Sequence, residues 1–271
     1  MSIIDQIVDR ISTRLANLRA DDQPIGWAMD VHSHLLAGVD DGLSTHEEVL
    51  TCLNQFVHWG IQHIVTTPHI NRSRFPNTRT SLLAGQAALR KLIEHYKLPL
   101  TIDVAAEYMV DDLFLELLKD GQLLSFGRQR YVLIELGWEA PPVFLDTVLF
   151  QMQIKGYQPV LAHPERYTYY AGNEKTLAKM RDLGCLFQIN WGSFVGQYGS
   201  AAKKQAHFLM RKRWVDFVGS DLHSPSDLTL FDTFIHSPIY RQLSQLPLRN
   251  KTFLVDGTPP QPNPSATAVR P

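Results

Sequence analysis

Short apolar segments alternate with stretches of helical periodicity along most of this chain, and this alternation restricts the folds open to it. Seven segments rich in β-branched residues read WAMDVHS, IQHIVTTP, LTIDVAAEY, YVLIELGW, QPVLAHP, CLFQINWG and WVDFVGSD. Helical periodicity occupies several of the intervals, at 45–59, 81–96, 143–155, 174–183 and 201–212. Strands separated by helices pair in parallel, and strands covered on both faces are almost continuously apolar. The pattern predicts an α/β fold with a parallel sheet, either an open doubly wound sheet or a closed or distorted barrel.

Metal-capable side chains stand where nearly every predicted strand ends. In chain order they are Asp30, His32, His34, His69, Glu107, Glu135, His163, Asn190, Asp221 and His223. The carboxyl ends of parallel strands lie at one face of such a fold, where sites are assembled. One HxH motif is expected roughly 0.4 times by chance in this composition, and a single strand-end histidine is usually a hydrogen-bonded core or loop residue. The repetition over successive strand ends, with Glu107, Glu135 and Asp221 interrupting apolar segments, predicts a metal cluster.

The predicted ligands are imidazoles and carboxylates, and no cysteine stands among them. This donor set suits manganese, iron or zinc and argues against a structural thiolate zinc site. Five histidines and four carboxylates, counting Asp41 of the VDDG motif, are too many for one ion. We therefore predict two or three divalent ions bridged by a carboxylate and a hydroxide.

The composition restricts the classes of binding partner and the cellular compartment that we expect. The 271 residues carry 26 basic and 27 acidic side chains, so the formal net charge is −1 and predicts no bulk attraction to nucleic acid or anionic lipid. The two cysteines, Cys52 and Cys185, lack a CxxC spacing. They favour a reduced, cytoplasmic setting over a disulfide framework.

Three regions follow from the sequence pattern. Residues 1–28 are expected to form a helical extension, with apolar residues at helical spacing and with charges too frequent for a signal peptide or a membrane span. Residues 29–256 contain the strand and helix pattern and form the predicted main domain. Residues 257–271 are rich in proline and small polar residues and are expected to be a disordered tail.

Several motifs of the main domain resemble one known superfamily. They read DVHSHLLAGVDDG, TTPHINRSRFPNT, AAEYM, VLIEL, VLAHPERY, QINWGSFVGQYG and VGSDLHS. Together they resemble the polymerase-and-histidinol-phosphatase (PHP) superfamily, and within it the bacterial protein tyrosine phosphatases of capsular and exopolysaccharide gene clusters. The DxHxH motif indicates only the superfamily, whereas HxxxxGVDDG, AHPERY and QxNxGSxxGxYG are more specific to the phosphatase branch. The chain departs from the pattern at Ala37, where proline is frequent, and at Met109, where an aromatic residue is common.

The resemblance implies a distorted barrel of seven β/α units and a trinuclear metal site that is usually supported by manganese. The implied activity is hydrolysis of phosphotyrosine, and the implied partner is a tyrosine-phosphorylated protein, namely an autophosphorylating tyrosine kinase of polysaccharide export. The implied phosphate-binding residue is Arg166. The implied metal ligands are His32, His34, Asp41, His69, Glu107, Glu135, His163, Asp221 and His223.

The expected chemistry is attack on a phosphomonoester by a metal-activated hydroxide, because divalent cations lower the pKa of bound water towards 7. Arg166 would bind phosphoryl oxygens through its planar, permanently charged guanidinium. Asp41 or His69 could protonate the leaving phenolate, although a pKa near 10 already makes this leaving group better than an alkoxide. A cysteine-dependent mechanism is excluded, because it requires an arginine six residues after the cysteine, and histidine and tryptophan occupy these two positions, 58 and 191.

Side chains that follow the second and third strands are candidates for contact with the substrate. Arg72 and Arg74 could bind the substrate or acidic residues near its phosphotyrosine, or could lie in a solvated loop. Tyr108 and Phe75 are candidates to flank an aromatic ring.

Two other functions fit the same sequence. A PHP phosphoesterase could act on a small phosphomonoester such as histidinol phosphate, or on nucleic-acid 3′ ends, although the near-zero net charge disfavours a nuclease. A non-catalytic scaffold could bind its kinase partner through the amino-terminal helix, although a scaffold has no need of strand-end histidines. No oligomeric state follows from the sequence.

Overall fold

Strands and helices alternate along residues 26–251, the part of the chain that the computed structural model describes. The strands are β1 (Met29–Asp30), β2 (His63–Thr66), β3 (His69–Ile70), β4 (Thr101–Val104), β5 (Glu107–Met109), β6 (Tyr131–Glu135), β7 (Gln158–Ala162), β8 (Leu186–Asn190) and β9 (Phe217–Gly219). The helices are α1 (His46–His58), α2 (Arg79–His95), α3 (Asp112–Lys119), α4 (Leu145–Ile154), α5 (Glu174–Asp182), α6 (Trp191–Val195), α7 (Gly199–Arg211), α8 (Leu228–Ile235) and α9 (Pro238–Leu243). Residues 1–25 of the predicted helical extension and the predicted tail at 257–271 lie outside the described residues.

The paired strands run parallel in two sheets. One sheet has the order β1-β2-β4 and the other has the order β3-β5-β6-β7-β8-β9. The interruption between the sheets is short, since Ala105 N donates a 3.0 Å hydrogen bond to Thr66 O and Glu107 N donates a 3.2 Å bond to Thr67 O. The predicted α/β fold with a parallel sheet is therefore confirmed.

The first and last strands also come together, just beyond their carboxyl ends. Ser33 and Leu222 form an isolated parallel bridge, and His34 N donates a 2.9 Å hydrogen bond to Leu222 O. Asp30 ties the same two segments, because its carboxylate accepts hydrogen bonds from the backbone N (2.8 Å) and the hydroxyl (2.7 Å) of Ser220. This contact places residues from both ends of the domain at the same rim.

Apolar side chains cover both faces of the strands. In β6, Val132 and Ile134 belong to the large core between the sheet and the helices, whereas Tyr131 and Leu133 belong to a smaller core on the other face. Successive side chains of a strand point to opposite faces. The same alternation directs Glu135, at the end of β6, to the face of the smaller core, which we call the inner face.

The helices begin close to where the sequence places them. Thr45 is the N-cap of α1, and its hydroxyl and the Glu48 side chain form a reciprocal capping box, a motif that satisfies backbone donors at a helix start. Over the described residues the structure contains no helix that is both long and apolar enough to cross a lipid bilayer.

Candidate metal centre

The predicted ligands meet at the rim formed by the carboxyl ends of the strands. Three groups of donor atoms lie there, and the atoms of each group are within 4.8 Å of one another. The groups are His32, His34, Glu107 and Asp221; His34, Asp41, His69 and His223; and His69, Glu107 and Glu135. Because the groups share residues, they form one continuous set, which we call the rim cluster. The ninth predicted ligand, His163, joins it through a 2.9 Å contact of its Nε2 with Glu107 Oε1.

The inner part of the rim cluster is closed to solvent. His32, Glu107 and Asp221 are each at most 2% exposed. His32 Nε2 lies 3.1 Å from Glu107 Oε2 and 3.3 Å from Asp221 Oδ1, so two carboxylates converge on one ring nitrogen. Burial disfavours the charged imidazole, but Glu107 and Asp221 outweigh this effect and raise the pKa of His32 to about 9.

The outer part of the rim cluster is open to solvent. The side chains of Asp41, His223 and His69 are 42%, 30% and 12% exposed. Asp41 Oδ1 lies 3.5 Å from His69 Nε2 and 3.6 Å from His223 Nε2. The ring of His223 stacks on that of His34 with their centroids 3.9 Å apart, which links the outer part to the inner part.

Two polar residues behind the rim cluster orient its histidines. Gln188 Oε1 lies 2.8 Å from His32 Nδ1, and Asp40 Oδ2 lies 2.8 Å from His34 Nδ1. Each oxygen is an acceptor, so each Nδ1 carries a proton and each Nε2 is the ring atom that a cation in the rim cluster would bind, an arrangement typical of metal-binding histidines. Asp40 Oδ2 also accepts a 2.9 Å hydrogen bond from His69 N.

Asp221 is held by donors that leave one of its oxygens directed at the rim cluster. Arg166 Nη1 (2.8 Å), Asn190 Nδ2 (2.5 Å) and Tyr198 Oη (3.1 Å) all contact Oδ2. Oδ1 remains directed at His32. Burial alone would raise the pKa of the Asp221 carboxyl, but the neighbouring histidines and Arg166 lower it, so the group is a carboxylate.

Two of the predicted ligands lie in the left-handed region of backbone space. His163 has φ +35° and Asp221 has φ +54°. A non-glycine residue in this region costs on the order of 1–3 kcal/mol, and such residues cluster at functional sites. His163 directly follows β7 and Asp221 lies two positions after β9, where the unusual backbone turns each side chain towards the rim.

The side chains of the rim cluster fit divalent cations. His69 Nδ1 lies 3.3 Å from Glu107 Oε2 and 3.5 Å from Glu135 Oε2, yet it is buried without a hydrogen-bond partner in the described part of the chain, as is His163 Nδ1. Burial, together with Glu107 and Asp221, raises the pKa of Glu135 to about 9. Cations would relieve this repulsion among carboxylates, and His69 Nδ1, which faces Glu107 and Glu135, would supply a lone pair to one of them.

A cavity of about 390 Å³ opens directly onto the rim cluster. Its lining residues are Asp41, His69, Asn71, Ser73, Arg74, Phe75, Glu107, Met109, Glu135, Trp138, His163, Arg166, Asp221 and His223. The Arg166 side chain is 22% exposed, and its guanidinium carbon lies 4.0 Å from the ring centroid of Tyr198 and 4.8 Å from that of Trp138. A fixed positive charge therefore stands beside the candidate cation sites, where it can bind an anionic group.

The family of the chain follows from a comparison of its sequence. A family model described as "Capsular polysaccharide synthesis, CpsB/CapC" matches residues 28–229. The chain belongs to this family. The matched range contains all nine predicted ligands and Arg166.

Individual CpsB/CapC relatives cover most of the chain. The tyrosine-protein phosphatase YwqE of Bacillus subtilis (strain 168) is 30% identical over 196 residues, which are 72% of this chain and 77% of YwqE. The tyrosine-protein phosphatase CpsB of Streptococcus pneumoniae is 30% identical over 203 residues, which are 72% of this chain and 83% of CpsB. A crystal structure from a study of these two proteins, described as unique metal-dependent tyrosine phosphatases, aligns with a TM-score of 0.71 at 27% identity, covering 87% of this chain and 99% of that chain.

The two arginines proposed for substrate contact point in different directions. Arg74 lines the cavity, and its Nη2 lies 4.0 Å from Asp41 Oδ2. Arg72 does not line the cavity, because its guanidinium pairs with Glu116 at 2.6 Å. The structure thus places Arg74 at the cavity and Arg72 outside it, and contact of either arginine with the substrate stays a prediction.

The structure contradicts the prediction that Tyr108 contacts the substrate. Tyr108 is 1% exposed and packs in the core beneath the helices. Its hydroxyl oxygen accepts a 2.7 Å hydrogen bond from Leu124 N. Glu107 and Met109 line the cavity, so the side chain between them must point to the opposite face of the strand.

The cavity also contains an aromatic residue that the sequence did not single out. Trp138 follows β6 by three positions, and its ring lies nearly parallel to that of His163, with centroids 5.6 Å apart and an interplanar angle of 14°.

Both cysteines are buried away from the cavity, and burial raises the pKa of each thiol to about 12. They are inert thiols, in agreement with the exclusion of a cysteine-dependent mechanism.

Proposed function

We propose that this member of the CpsB/CapC family is a metal-dependent protein tyrosine phosphatase. The observation that carries the proposal is the rim cluster at the floor of a cavity, with Arg166 beside it. The names of the CpsB/CapC relatives, which are tyrosine-protein phosphatases, support the choice of phosphotyrosine over other phosphomonoesters. The proposed substrate is a tyrosine-phosphorylated protein, specifically an autophosphorylating tyrosine kinase of capsular or exopolysaccharide synthesis.

The rim cluster would hold two or three cations, and we propose manganese. Its nine residues supply nitrogen and carboxylate oxygen donors, a mixture that suits manganese as well as iron or zinc. Bound cations would supply a water of lowered pKa and would neutralise phosphoryl charge. Gln188 and Asp40 hold His32 and His34 in the tautomer that can bind a cation.

Arg166 would bind the phosphoryl group. Its guanidinium is permanently charged and can contact two phosphoryl oxygens at once. Tyr198 and Trp138 pack against it, and Asp221 holds one of its nitrogens. These contacts fix the guanidinium before the substrate arrives, which reduces the ordering cost of binding.

Asp41 and His69 would serve the leaving group. Both line the cavity, and their side chains are 3.5 Å apart. The phenolate of tyrosine has a pKa near 10, so it leaves with less protonation than an alkoxide requires. One proton supplied from this pair, or from water that the pair holds, would complete the release of tyrosine.

We also propose the wider organisation that the sequence suggested. Strands β2 and β3 would count as one interrupted strand, and so would β4 and β5. Together with the other five strands they would form a distorted barrel of seven β/α units. Residues 29–256 would be the phosphatase domain, preceded by a helical extension at 1–28 and followed by a disordered tail at 257–271. The enzyme would act in the cytoplasm.

Metal analysis combined with a substrate panel tests the proposal. The protein should hydrolyse a phosphotyrosyl peptide, lose this activity after treatment with a chelator, and regain it when Mn²⁺ is added. Histidinol phosphate and single-stranded DNA should be poor substrates in the same assay. Full activity of chelator-treated, metal-free protein would refute the metal dependence, and preference for histidinol phosphate would refute the substrate class.

A further inference from the structure

Apolar side chains line one side of the cavity mouth. Phe75, Met109 and Trp138 all line the cavity, and they lie at or after the ends of β3, β5 and β6, which are consecutive neighbours in the sheet. We call these three side chains the apolar arc. The arc offers thioether and aromatic carbon beside a cluster of charged groups, and none of its members is a usual ligand for a hard divalent cation.

Each aromatic ring of the apolar arc is supported from behind by a histidine of the rim cluster. The Phe75 ring lies on that of His69, with centroids 5.4 Å apart and an interplanar angle of 12°. The Trp138 ring lies on that of His163 in the same way. These contacts fix the planes of both rings relative to the candidate cation sites.

Trp138 is the most exposed residue of the apolar arc. The residue is 46% exposed even though its indole packs on His163 and Tyr167. Exposed apolar area costs roughly 25 cal/mol per Å² relative to burial, so a partly open indole beside a site indicates contact with a ligand. The Arg166 guanidinium lies 4.8 Å from the centroid of this ring. A phosphoryl group on Arg166 would therefore have its organic substituent next to the indole.

We propose that the apolar arc binds the phenyl ring of the substrate, with Trp138 as the main contact, and thereby selects aryl phosphates over alkyl phosphates. This inference rests on the proposed function of the same site. A phenyl ring can pack flat or edge-on against the indole and cover its exposed area. The short aliphatic chain of phosphoserine or phosphothreonine leaves most of that area in water.

Binding of two non-hydrolysable phosphonates separates this role from catalysis. Phenylphosphonate and methylphosphonate share the phosphonate group and differ in the ring, and calorimetry on the Mn²⁺-loaded protein gives a Kd for each. Trp138→Ala should weaken the binding of phenylphosphonate about tenfold, a size typical of a lost aromatic contact. The Kd of methylphosphonate should change less than about twofold, because Tyr198 and Asp221 still hold the Arg166 guanidinium. Trp138→Phe should recover most of the loss, since it keeps a ring. Phe150→Ala is the matched control, because Phe150 is 61% exposed and does not line the cavity.

The alternative role of Trp138 is to support Arg166 alone. In that case Trp138→Ala weakens the binding of both phosphonates equally, and this result overturns the inference. Two Kd values that do not change from those of the wild type overturn it as well. Should Trp138→Ala lose its metal, Trp138→Leu keeps the apolar bulk without a ring and provides the same comparison with Trp138→Phe. Turnover of a phosphotyrosyl peptide by the wild type is measured separately. Its absence would refute the proposed function while leaving the phosphonate comparison intact.

Discussion

The inner and outer parts of the rim cluster differ in how the protein holds them. His32, Glu107 and Asp221 are sealed from solvent, and neighbours such as Gln188 and Asn190 fix their side chains. The outer residues instead face the cavity with much of their surface free. Donors that are fixed before a ligand arrives bind it with a smaller ordering cost.

This difference indicates that the two parts of the rim cluster have different roles. Cations held by the inner part should dissociate slowly, because the surrounding side chains would be left as buried, uncompensated charges. Cations held by the outer part would exchange with solvent and would meet the phosphoryl group. A stepwise loss of metal during dialysis against a chelator would support these different roles, whereas a single step would argue that the rim cluster behaves as one unit.

The largest effect is expected from the inner part. His32→Ala removes a buried predicted ligand and leaves Glu107 and Asp221 without their shared neighbour. We expect activity to fall by at least about a thousandfold, more than the 10- to 100-fold typical of losing an outer partner of a metal site. Elemental analysis should show a matching loss of manganese. His95→Ala, at an exposed position at the end of α2, is the control. Retained hydrolysis of p-nitrophenyl phosphate by His32→Ala would contradict the assigned chemistry.

A smaller effect is expected from the outer part. Asp41→Ala removes a half-exposed predicted ligand beside His69 and His223. Activity should fall by about a hundredfold, with loss of about one ion, and a higher Mn²⁺ concentration should restore part of it. Titration of activity against Mn²⁺ measures this. Loss of all bound metal in this variant would remove the distinction between inner and outer parts.

A residue behind the rim cluster should have a weaker effect still. Asp40→Asn keeps the size of the side chain but removes the charge that fixes His34 and supports the backbone of His69. We expect a loss of about tenfold in kcat/KM, together with weaker Mn²⁺ affinity. An unchanged Mn²⁺ affinity would mean that Asp40 does not orient the ligand.

The smallest effect on activity is expected at Tyr108. Tyr108→Phe removes the hydrogen bond to Leu124 in the core and touches nothing in the cavity. The free energy of unfolding should fall by about 1 kcal/mol, while kcat/KM for a phosphotyrosyl peptide stays at the wild-type value. Urea unfolding and a steady-state assay measure the two quantities. A drop in kcat/KM at constant stability would restore Tyr108 as a substrate contact.

The sequence predicted the parallel sheet and the meeting of the predicted ligands because both depend on local pattern. Apolar segments set the strands, and polar residues at their ends must share one rim. The error at Tyr108 was avoidable with the same pattern. Once Glu107 is placed on the inner face, alternation along β5 requires its neighbour to face outward.

Other features depend on contacts between distant segments and leave no local signal. Arg72 is drawn away from the cavity by Glu116, which lies in α3. Trp138 follows a strand in a loop, and its place beside His163 is set by the packing of two adjacent strands. Asp40 and Asp41 are adjacent acids in one motif, and only the folded backbone distinguishes the one behind the ligands from the one facing the cavity.

The joining of the first and last strands has a consequence for synthesis of the protein. Asp30 and Ser220, which tie these segments together, are 190 positions apart in the chain. A ribosome-bound chain that has not yet exposed the segment around Asp221 lacks part of the inner ligand group. This group is therefore complete only after translation has passed Asp221, and a chain terminated before this residue would lack it.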